Sequence, residues 1–164
     1  MEKAVAQEDT KIRRYREADA SEIVRLFYET VRSVNLADYS REQVEAWAPE
    51  VPDADAWHRR MASRETLVAE KDGAVAGFAE LEEDGHLDTF YIRGDAVGRG
   101  VGRSLYRAVE QQARRRGIGR ISTEASVTAH PFFLRQGFHT VREQVVWRRG
   151  VGLTNFVMEK PLDR

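Results

Sequence analysis

Residues 95–105 read DAVGRGVGRSL, with glycine at positions 98, 100 and 102. They lie between a strand-like run, HLDTFYI (86–92), and an amphipathic helical pattern that ends at Gly117. Glycine raises the entropy cost of ordering a chain, so three glycines at a strand-to-helix junction indicate a constraint on the backbone. Successive N–H groups can turn the same way there, and the helix start adds unpaired N–H groups and positive dipole charge. The stretch therefore predicts a cradle for a phosphate group.

Two familiar phosphate-binding motifs do not fit this stretch. A dinucleotide-binding GxGxxG would need glycine at Arg103 or at Leu105, and a Walker A motif would need a Gly-Lys-Ser/Thr ending that the sequence lacks. A tight turn with spare glycines is the alternative that residues alone leave open. Arg99 and Arg103 favour the phosphate interpretation, because guanidinium groups add charge-assisted hydrogen bonds to an anion.

The residues before the glycines predict three strands in an antiparallel meander. ETLVAEK (65–71), AVAGFAELEE (74–83) and HLDTFYI have period-two patterns, and Asp-Gly pairs at 72–73 and 84–85 separate them. Asp-Gly favours two-residue hairpin turns, because both turn positions need positive φ. Further towards the N-terminus, residues 11–16 alternate as a strand. Capping patterns such as Ser40 with Gln43 then indicate helices.

After the glycines, the predicted order is helix, strand, short helix and two strands. RISTEAS (120–126) follows a helix and so lies parallel to a neighbouring strand. The whole pattern predicts one α/β domain over residues 11–164, with residues 1–10 as a disordered polar tail.

Composition excludes several classes of protein. The 164 residues carry a formal net charge of −1, so no global field attracts nucleic acid or an anionic membrane. There is no cysteine, which excludes disulfides, thiolate metal sites and cysteine nucleophiles. No spacing of His, Asp and Glu indicates a metal site. No apolar run is long enough to span a bilayer, and MEKAVAQEDT lacks the apolar core of a secretory signal, so a cytoplasmic location is expected.

Two motifs resemble those of the GNAT superfamily of acyl-CoA N-acetyltransferases. Residues 97–102, VGRGVG, are similar to its signature Gln/Arg-x-x-Gly-x-Gly, and FFLRQGF (132–138) is similar to its FYxxxGF. The order of elements also matches over roughly residues 11–160. The resemblance implies a mixed, largely antiparallel sheet with helices on both faces and a splayed central strand pair.

The resemblance also implies where acetyl-CoA would bind. The pyrophosphate would sit on the N–H groups of residues 98–103, and the pantetheine arm would pair with the fourth strand. The implied coenzyme-binding residues are Phe90, Tyr91, Ile92, Gly98, Arg99, Gly100, Val101, Gly102, Arg103, Ser126 and Phe133.

Three residues depart from the family pattern. Val97 replaces the usual Gln or Arg, and Ser126 replaces a frequent asparagine. Phe133 stands where many members have a tyrosine that is assigned as the acid for the leaving thiolate. The residue that would protonate the leaving thiolate is therefore not identified by this motif. We expect the ring of Phe133 to point towards the coenzyme sulfur.

Acetyl transfer to an amine needs a base, because the pKa of a lysine-like amine is ~10.4. If Asp84-Gly85 is a two-residue turn, Glu83 faces His86, Leu81 faces Asp88 and Ala79 faces Phe90. Counting back from the signature places His86 at the position where histone-modifying members have a glutamate base. His86 is thus a candidate base with support from Asp88, and an N–H near Tyr91 is a candidate oxyanion donor. A solvated strand end is the alternative reading of His86.

Other residues keep two interpretations. Arg114, Arg115 and Arg116 either end a helix in solvent or contact the coenzyme 3′-phosphate. The aromatic residues of the early helices belong either to the core or to the acceptor site; they include Tyr28, Tyr39 and Trp47.

The sequence predicts an acetyl-CoA-dependent N-acetyltransferase. Its acceptor would be the amine of a small molecule or peptide, attacking directly in a ternary complex because no cysteine can form an acyl-enzyme. The alternatives are a catalytically weak acyl-CoA-binding regulatory module and an unrelated nucleotide-phosphate enzyme. No nucleic acid or membrane partner is expected, and a homodimer is left open.

Overall fold

The computed structural model describes residues 10–163, so the predicted tail lies outside the described residues except for Thr10. The strands in this part of the chain are β1 (Thr10–Arg14), β2 (Glu65–Lys71), β3 (Ala74–Leu81), β4 (Leu87–Ile92), β5 (Arg120–Ser126), β6 (His139–Arg148) and β7 (Val151–Pro161). The α-helices are α1 (Ala20–Ser33), α2 (Arg41–Trp47), α3 (Ala54–Ala62), α4 (Val101–Arg115) and α5 (His130–Arg135). None of these helices has the length and apolar character that crossing a membrane requires.

The strands form two antiparallel sheets that meet at one point. The first has the order β1-β2-β3-β4 and the second the order β5-β7-β6. Among residues 10–163, the described pairing between them is an isolated parallel bridge from His86 to Ser122. Beyond that bridge β4 and β5 continue without pairing. The expected mixed α/β fold with a splayed central strand pair is therefore confirmed.

The first hairpin of the meander has the predicted two-residue turn. Lys71 pairs with Ala74, and Asp72 and Gly73 have φ angles of 54° and 79°. The second hairpin differs. The Glu82 N–H donates to the His86 carbonyl at 2.9 Å, which leaves a three-residue loop instead of two turn residues.

This longer loop changes the predicted register near the turn. Ala79 faces Phe90 as expected, but Leu81 pairs with Leu87 rather than with Asp88. A bulge at this position accommodates the extra residue. The expected pairing of Glu83 with His86 was wrong for the same reason. Leu87 consequently lies with Leu81 on the face that α4 covers, not on the opposite face with Glu80.

Helices cover both faces of the first sheet, as alternation along β3 requires. Ala79 faces α4, whose buried side includes Leu105 and Val109. Phe78 faces the opposite way, into a cluster with Ile23 of α1 and Met61 of α3. This arrangement fixes the end of α4 that carries the glycines beside the end of β4.

Candidate active site

A cavity of about 770 Å³ opens where β4 and β5 diverge. Its walls are the end of β4, the glycine loop with the start of α4, the end of α1, and the turn from β5 into α5. The predicted residues that line it are Phe90, Tyr91, Ile92, Gly98, Gly100, Gly102, Arg103 and Ser126. The predicted residues that do not line it are His86, Asp88, Arg99, Val101 and Phe133.

The glycine loop exposes backbone N–H groups to this cavity. Gly98 and Gly100 have φ angles of 79° and 86°, in the left-handed region that favours glycine. Gly100 caps α4, and the first backbone bond into the helix runs from the Ser104 N–H to the Gly100 carbonyl at 3.1 Å. The N–H groups of residues 101–103 therefore lack a partner within the helix. Unpaired N–H groups at a helix start are an arrangement that suits an anion.

Gly102 has a different reason to be glycine. A Cβ at this position would lie 3.2 Å from Cε1 of Phe132, which is closer than an ordinary contact. The small residue lets α4 approach α5 across the cavity wall. Two of the three glycines thus set the backbone conformation, and the third sets a helix–helix distance.

The end of β4 presents a free backbone edge to the cavity. The Arg93 N–H donates to the Ala76 carbonyl at 2.8 Å, so in the alternating antiparallel ladder the pair Phe78–Tyr91 is also hydrogen-bonded. The Tyr91 backbone groups therefore face β3. Those of Phe90 and Ile92 point to the other side, where β5 has diverged. The oxyanion donor expected near Tyr91 is better matched by these two neighbours.

Phe132 and Phe133 occupy different environments. Phe133 is 2% exposed and packs against Phe90, Tyr106 and Phe138. Phe132 lines the cavity, and its ring stacks on Phe90 at 5.3 Å. The expectation that Phe133 points towards the coenzyme sulfur has no support in this geometry. Successive helical residues differ by about 100° in direction, and the motif alone does not say which of two phenylalanines faces the cavity.

Polar side chains on two walls give the cavity hydrogen-bonding capacity. Thr30 and Asn35 line it from the end of α1 and are 6% and 5% exposed. On the opposite wall, Thr128 Oγ1 is buried without a hydrogen-bond partner, whereas Ser126 Oγ accepts from the Ala129 N–H at 3.0 Å. An unpaired buried hydroxyl is costly unless a ligand pairs with it. The cavity therefore fits a long ligand with amide and hydroxyl groups as well as phosphates.

Arginines that the sequence analysis did not single out also line the cavity. Arg107 lies one helical turn after Arg103 on α4, and Arg135 comes from α5. The signal was present in the i, i+4 spacing of Arg103 and Arg107. The position of Arg135 depends on how α5 packs. The arginine run 114–116 does not line the cavity: Arg114 pairs with Glu110 at 2.9 Å.

His86 belongs to an ionic network at the other end of β4. Its Nδ1 lies 2.7 Å from Glu82 and its Nε2 lies 2.8 Å from Glu124. The hydrogen bond to Glu124 raises the pKa of His86 to about 9; burial acts against this rise and Glu82 adds to it. Asp88 pairs with Arg64 at 2.6 Å rather than supporting the imidazole. A histidine that is cationic at neutral pH has no lone pair with which to accept a proton.

Three side chains of this network lie close enough together to act as metal ligands. Ligand atoms of Glu82, His86 and Asp88 lie within 4.8 Å of one another. Arg64 already supplies positive charge to this group, since it contacts both Asp88 and Glu82. The geometry is that of a charge network in which arginine and histidine hold the acids.

Tyr39 connects the end of β5 to β7. Its hydroxyl donates to the Thr154 carbonyl at 2.5 Å and accepts from the Val127 N–H at 2.9 Å. Burial raises the pKa of Tyr39, so the hydroxyl keeps its proton and both bonds. Tyr39 also packs edge-to-face on Trp47 at 5.4 Å. Neither residue lines the cavity; together they support the wall from behind.

Comparisons with known proteins agree with this fold. A family model for the acetyltransferase (GNAT) domain matches residues 35–160. The chain is 30% identical over 148 residues to YafP of Escherichia coli K12, described as an uncharacterized N-acetyltransferase, covering 90% of this chain and 93% of that protein. A GCN5-related N-acetyltransferase structure from Rhodopseudomonas palustris has a TM-score of 0.87 and 34% identity, covering 93% of this chain and 95% of that chain.

A structure in complex with coenzyme A shares the fold at lower identity. PaiA N-acetyltransferase from Thermoplasma acidophilum has a TM-score of 0.77 and 19% identity, covering 93% of this chain and 99% of that chain. The chain belongs to the GNAT superfamily of acetyltransferases. Within it, the protein is an N-acetyltransferase, as its relatives are.

Proposed function

We propose that the protein transfers an acetyl group from acetyl-CoA to the amine of a small molecule or a peptide, by direct attack in a ternary complex. The observation that carries the proposal is the continuity of the cavity. It joins an anion cradle on α4 to a free β4 edge in one space. A pyrophosphate and an amide-bearing arm need these two features in this order.

The residues present fit acetyl-CoA. The N–H groups of residues 98 and 100–103 would hold the pyrophosphate. The backbone groups of Phe90 and Ile92 would pair with the amides of the arm, because β5 leaves them free. Thr128 offers a further hydroxyl on the opposite wall.

The chemistry follows from these positions. The amine nitrogen attacks the thioester carbonyl carbon, and a β4 N–H stabilises the negative charge that develops on the oxygen. The C–S bond then breaks and the sulfur leaves as a thiolate, which a thiol with a pKa of roughly 8.5 permits without a strong acid. The absence of cysteine favours this direct route over an acyl-cysteine intermediate.

Among residues 10–163, those that line the cavity include no carboxylate and no imidazole that could take the proton of the amine. His86 and Asp88 stay predictions as base and support, and the ionic network gives them no direct access to the cavity. The amine then loses its proton to solvent before it attacks. This version of the mechanism predicts a rate that rises with pH until the amine itself is deprotonated.

One observation favours a second function, that of a catalytically weak acyl-CoA-binding regulatory module. Phe133 replaces the usual tyrosine and lies in an aromatic cluster, and Tyr91 has its pKa raised by burial. A phenylalanine ring has no acidic proton, and the raised pKa makes Tyr91 a weaker acid towards a thiolate. Slow turnover with tight coenzyme binding would support this alternative.

Two measurements separate these functions. Calorimetry with acetyl-CoA tests binding, and a free-thiol release assay over a panel of small amines and lysine peptides tests turnover. Binding with amine-dependent thiol release supports the enzyme. Binding without release for any amine supports the module, and the absence of coenzyme binding overturns both.

A further inference from the structure

We propose that Arg103, Arg107 and Arg135 form a second anion site, which takes the 3′-phosphate of coenzyme A. The inference rests on the proposed function, because it assumes that the cavity holds this coenzyme. It adds a specificity: the protein distinguishes coenzyme A from the same carrier without the 3′-phosphate.

The three guanidinium groups lie on facing elements of one cavity. Arg103 and Arg107 are four residues apart on α4, so their side chains project from the same side of the helix. Arg135 lines the cavity from α5, next to Gln136. Positive charge thus reaches the cavity from two helices.

These arginines differ from others of the chain in having no acidic partner. Within residues 10–163, none of the three forms a hydrogen bond or an ion pair. Arg13 and Arg64, by contrast, have carboxylates within 2.9 Å. Unpaired cations that converge on a cavity repel each other, and an anion relieves that repulsion.

One carboxylate lies close to these arginines in the sequence but does not neutralise them. Glu110 follows Arg107 by three residues on α4, but its oxygens are taken by Tyr106, Arg114 and Lys160. These bonds hold the acid away from the cavity. The positive charge of the site therefore remains available for a ligand.

The site is separate from the glycine cradle. Arg107 lies seven residues beyond Gly100, which is about 10 Å along the helix axis at the usual rise. The cradle N–H groups would serve the pyrophosphate. A second phosphate on the ribose lies further along the ligand, and two planar guanidinium groups match its oxygens well.

The experiment compares two ligands, coenzyme A and 3′-dephospho-coenzyme A, by calorimetry at low and physiological salt. We expect wild-type protein to bind coenzyme A at least tenfold more tightly. The double variant Arg107→Gln/Arg135→Gln should bring the ratio near one while leaving the affinity for the dephospho form within about twofold. Both arginines are exposed and unpaired, so the melting temperature should not change.

Arg59→Gln/Arg115→Gln is the matched control. Arg59 and Arg115 are exposed and do not line the cavity, so their removal changes the net charge by two, as the double variant does. The control should leave the ratio of affinities unchanged. A similar loss in this variant would show a general field effect and overturn the site.

The outcomes separate the two proposals. Equal binding of both ligands by wild-type protein overturns the second anion site and leaves the proposed function standing. Binding of neither ligand overturns the proposed function, and the second site with it. A ratio that survives in the double variant places the 3′-phosphate elsewhere and also overturns the inference.

Discussion

The charged side chains near the two ends of β4 differ in whether other residues of the protein neutralise them. At the end near the hairpin loop, Glu80 of the neighbouring strand β3 is fully buried and is held by Arg60 at 2.6 Å and Arg64 at 3.1 Å. At the other end, Arg103 and Arg107 face a cavity without an acid. The first group is neutralised within the fold, whereas the second is neutralised only by something that binds.

This difference shows which charges stabilise the fold and which are available to a ligand. A buried carboxylate is tolerated only with partners, and breaking such a group is costly. Exposed arginines cost little when unpaired, because water solvates them. Charges at the hairpin end should therefore control stability, and charges at the cavity end should control binding.

Glu80→Ala tests the hairpin end and has the largest expected effect. It removes the acid that Arg60, Arg64 and Thr89 share, so we expect a loss of about 3–5 kcal/mol in the free energy of unfolding. Urea denaturation measures it. Asp88→Asn is the control, because this partly exposed partner should cost less than about 1 kcal/mol. Equal losses in the two variants would contradict the contrast.

Gly100→Glu tests the cavity end. The new carboxylate would occupy the anion cradle, so we expect coenzyme affinity to fall at least ~100-fold, an effect of about 2.7 kcal/mol. Gly100→Ala carries the same backbone strain at a φ of 86° without the charge. Its affinity should fall much less. Unchanged binding in the glutamate variant would show that the loop does not hold the pyrophosphate.

Phe133→Tyr should act on stability rather than on catalysis. Phe133 is enclosed by aromatic rings, so the new hydroxyl would be buried without a partner at a cost of about 1–3 kcal/mol. Thermal melting and kcat are the measurements. Phe132→Tyr, whose ring lines the cavity, should be better tolerated. A rise in kcat for Phe133→Tyr would contradict this expectation and support the predicted position of the ring beside the coenzyme sulfur.

His86→Gln has the smallest expected effect, and its sign depends on pH. The pKa of His86 is raised from 6.5 to about 9 in the folded protein. Its stabilising contribution is therefore complete below about pH 6.5 and is lost as pH rises through about 9. The free energy of unfolding of wild-type protein, measured by urea denaturation, should exceed that of the variant most at pH 6. The difference should shrink by pH 9.5. A pH-independent difference would show that the charge of His86 does not matter.

The sequence predicted the cavity end of β4 better than the hairpin end. Glycines at a strand-to-helix junction act through local backbone geometry, which a short window of sequence contains. The loop at Gly85 depends on a distant contact: a Cβ there would clash with the Arg120 carbonyl, and the Ser122 N–H donates to the Gly85 carbonyl at 3.0 Å. Gly85 therefore allows the chain before β4 to approach β5 closely. The residues next to it in the sequence do not indicate this contact.

The orientation of side chains on α5 was equally hidden. Phe132 and Phe133 are chemically identical, and only packing against Phe90 and Phe138 distinguishes them. The ionic environment of His86 was hidden for a related reason. Glu124 lies on another sheet and is 38 residues away in the sequence, and its contact raises the histidine pKa.

Each sheet comes from one continuous stretch of the chain, residues 10–92 for the first and 120–161 for the second. The cavity takes residues from both stretches, so a bound ligand would contact both sheets and oppose the local opening of either one. Ligand binding to the closed form alone would link their opening. We expect amide hydrogen exchange in β5 to slow when coenzyme A is added, although Arg120 and Ile121 lie far from the cradle in sequence.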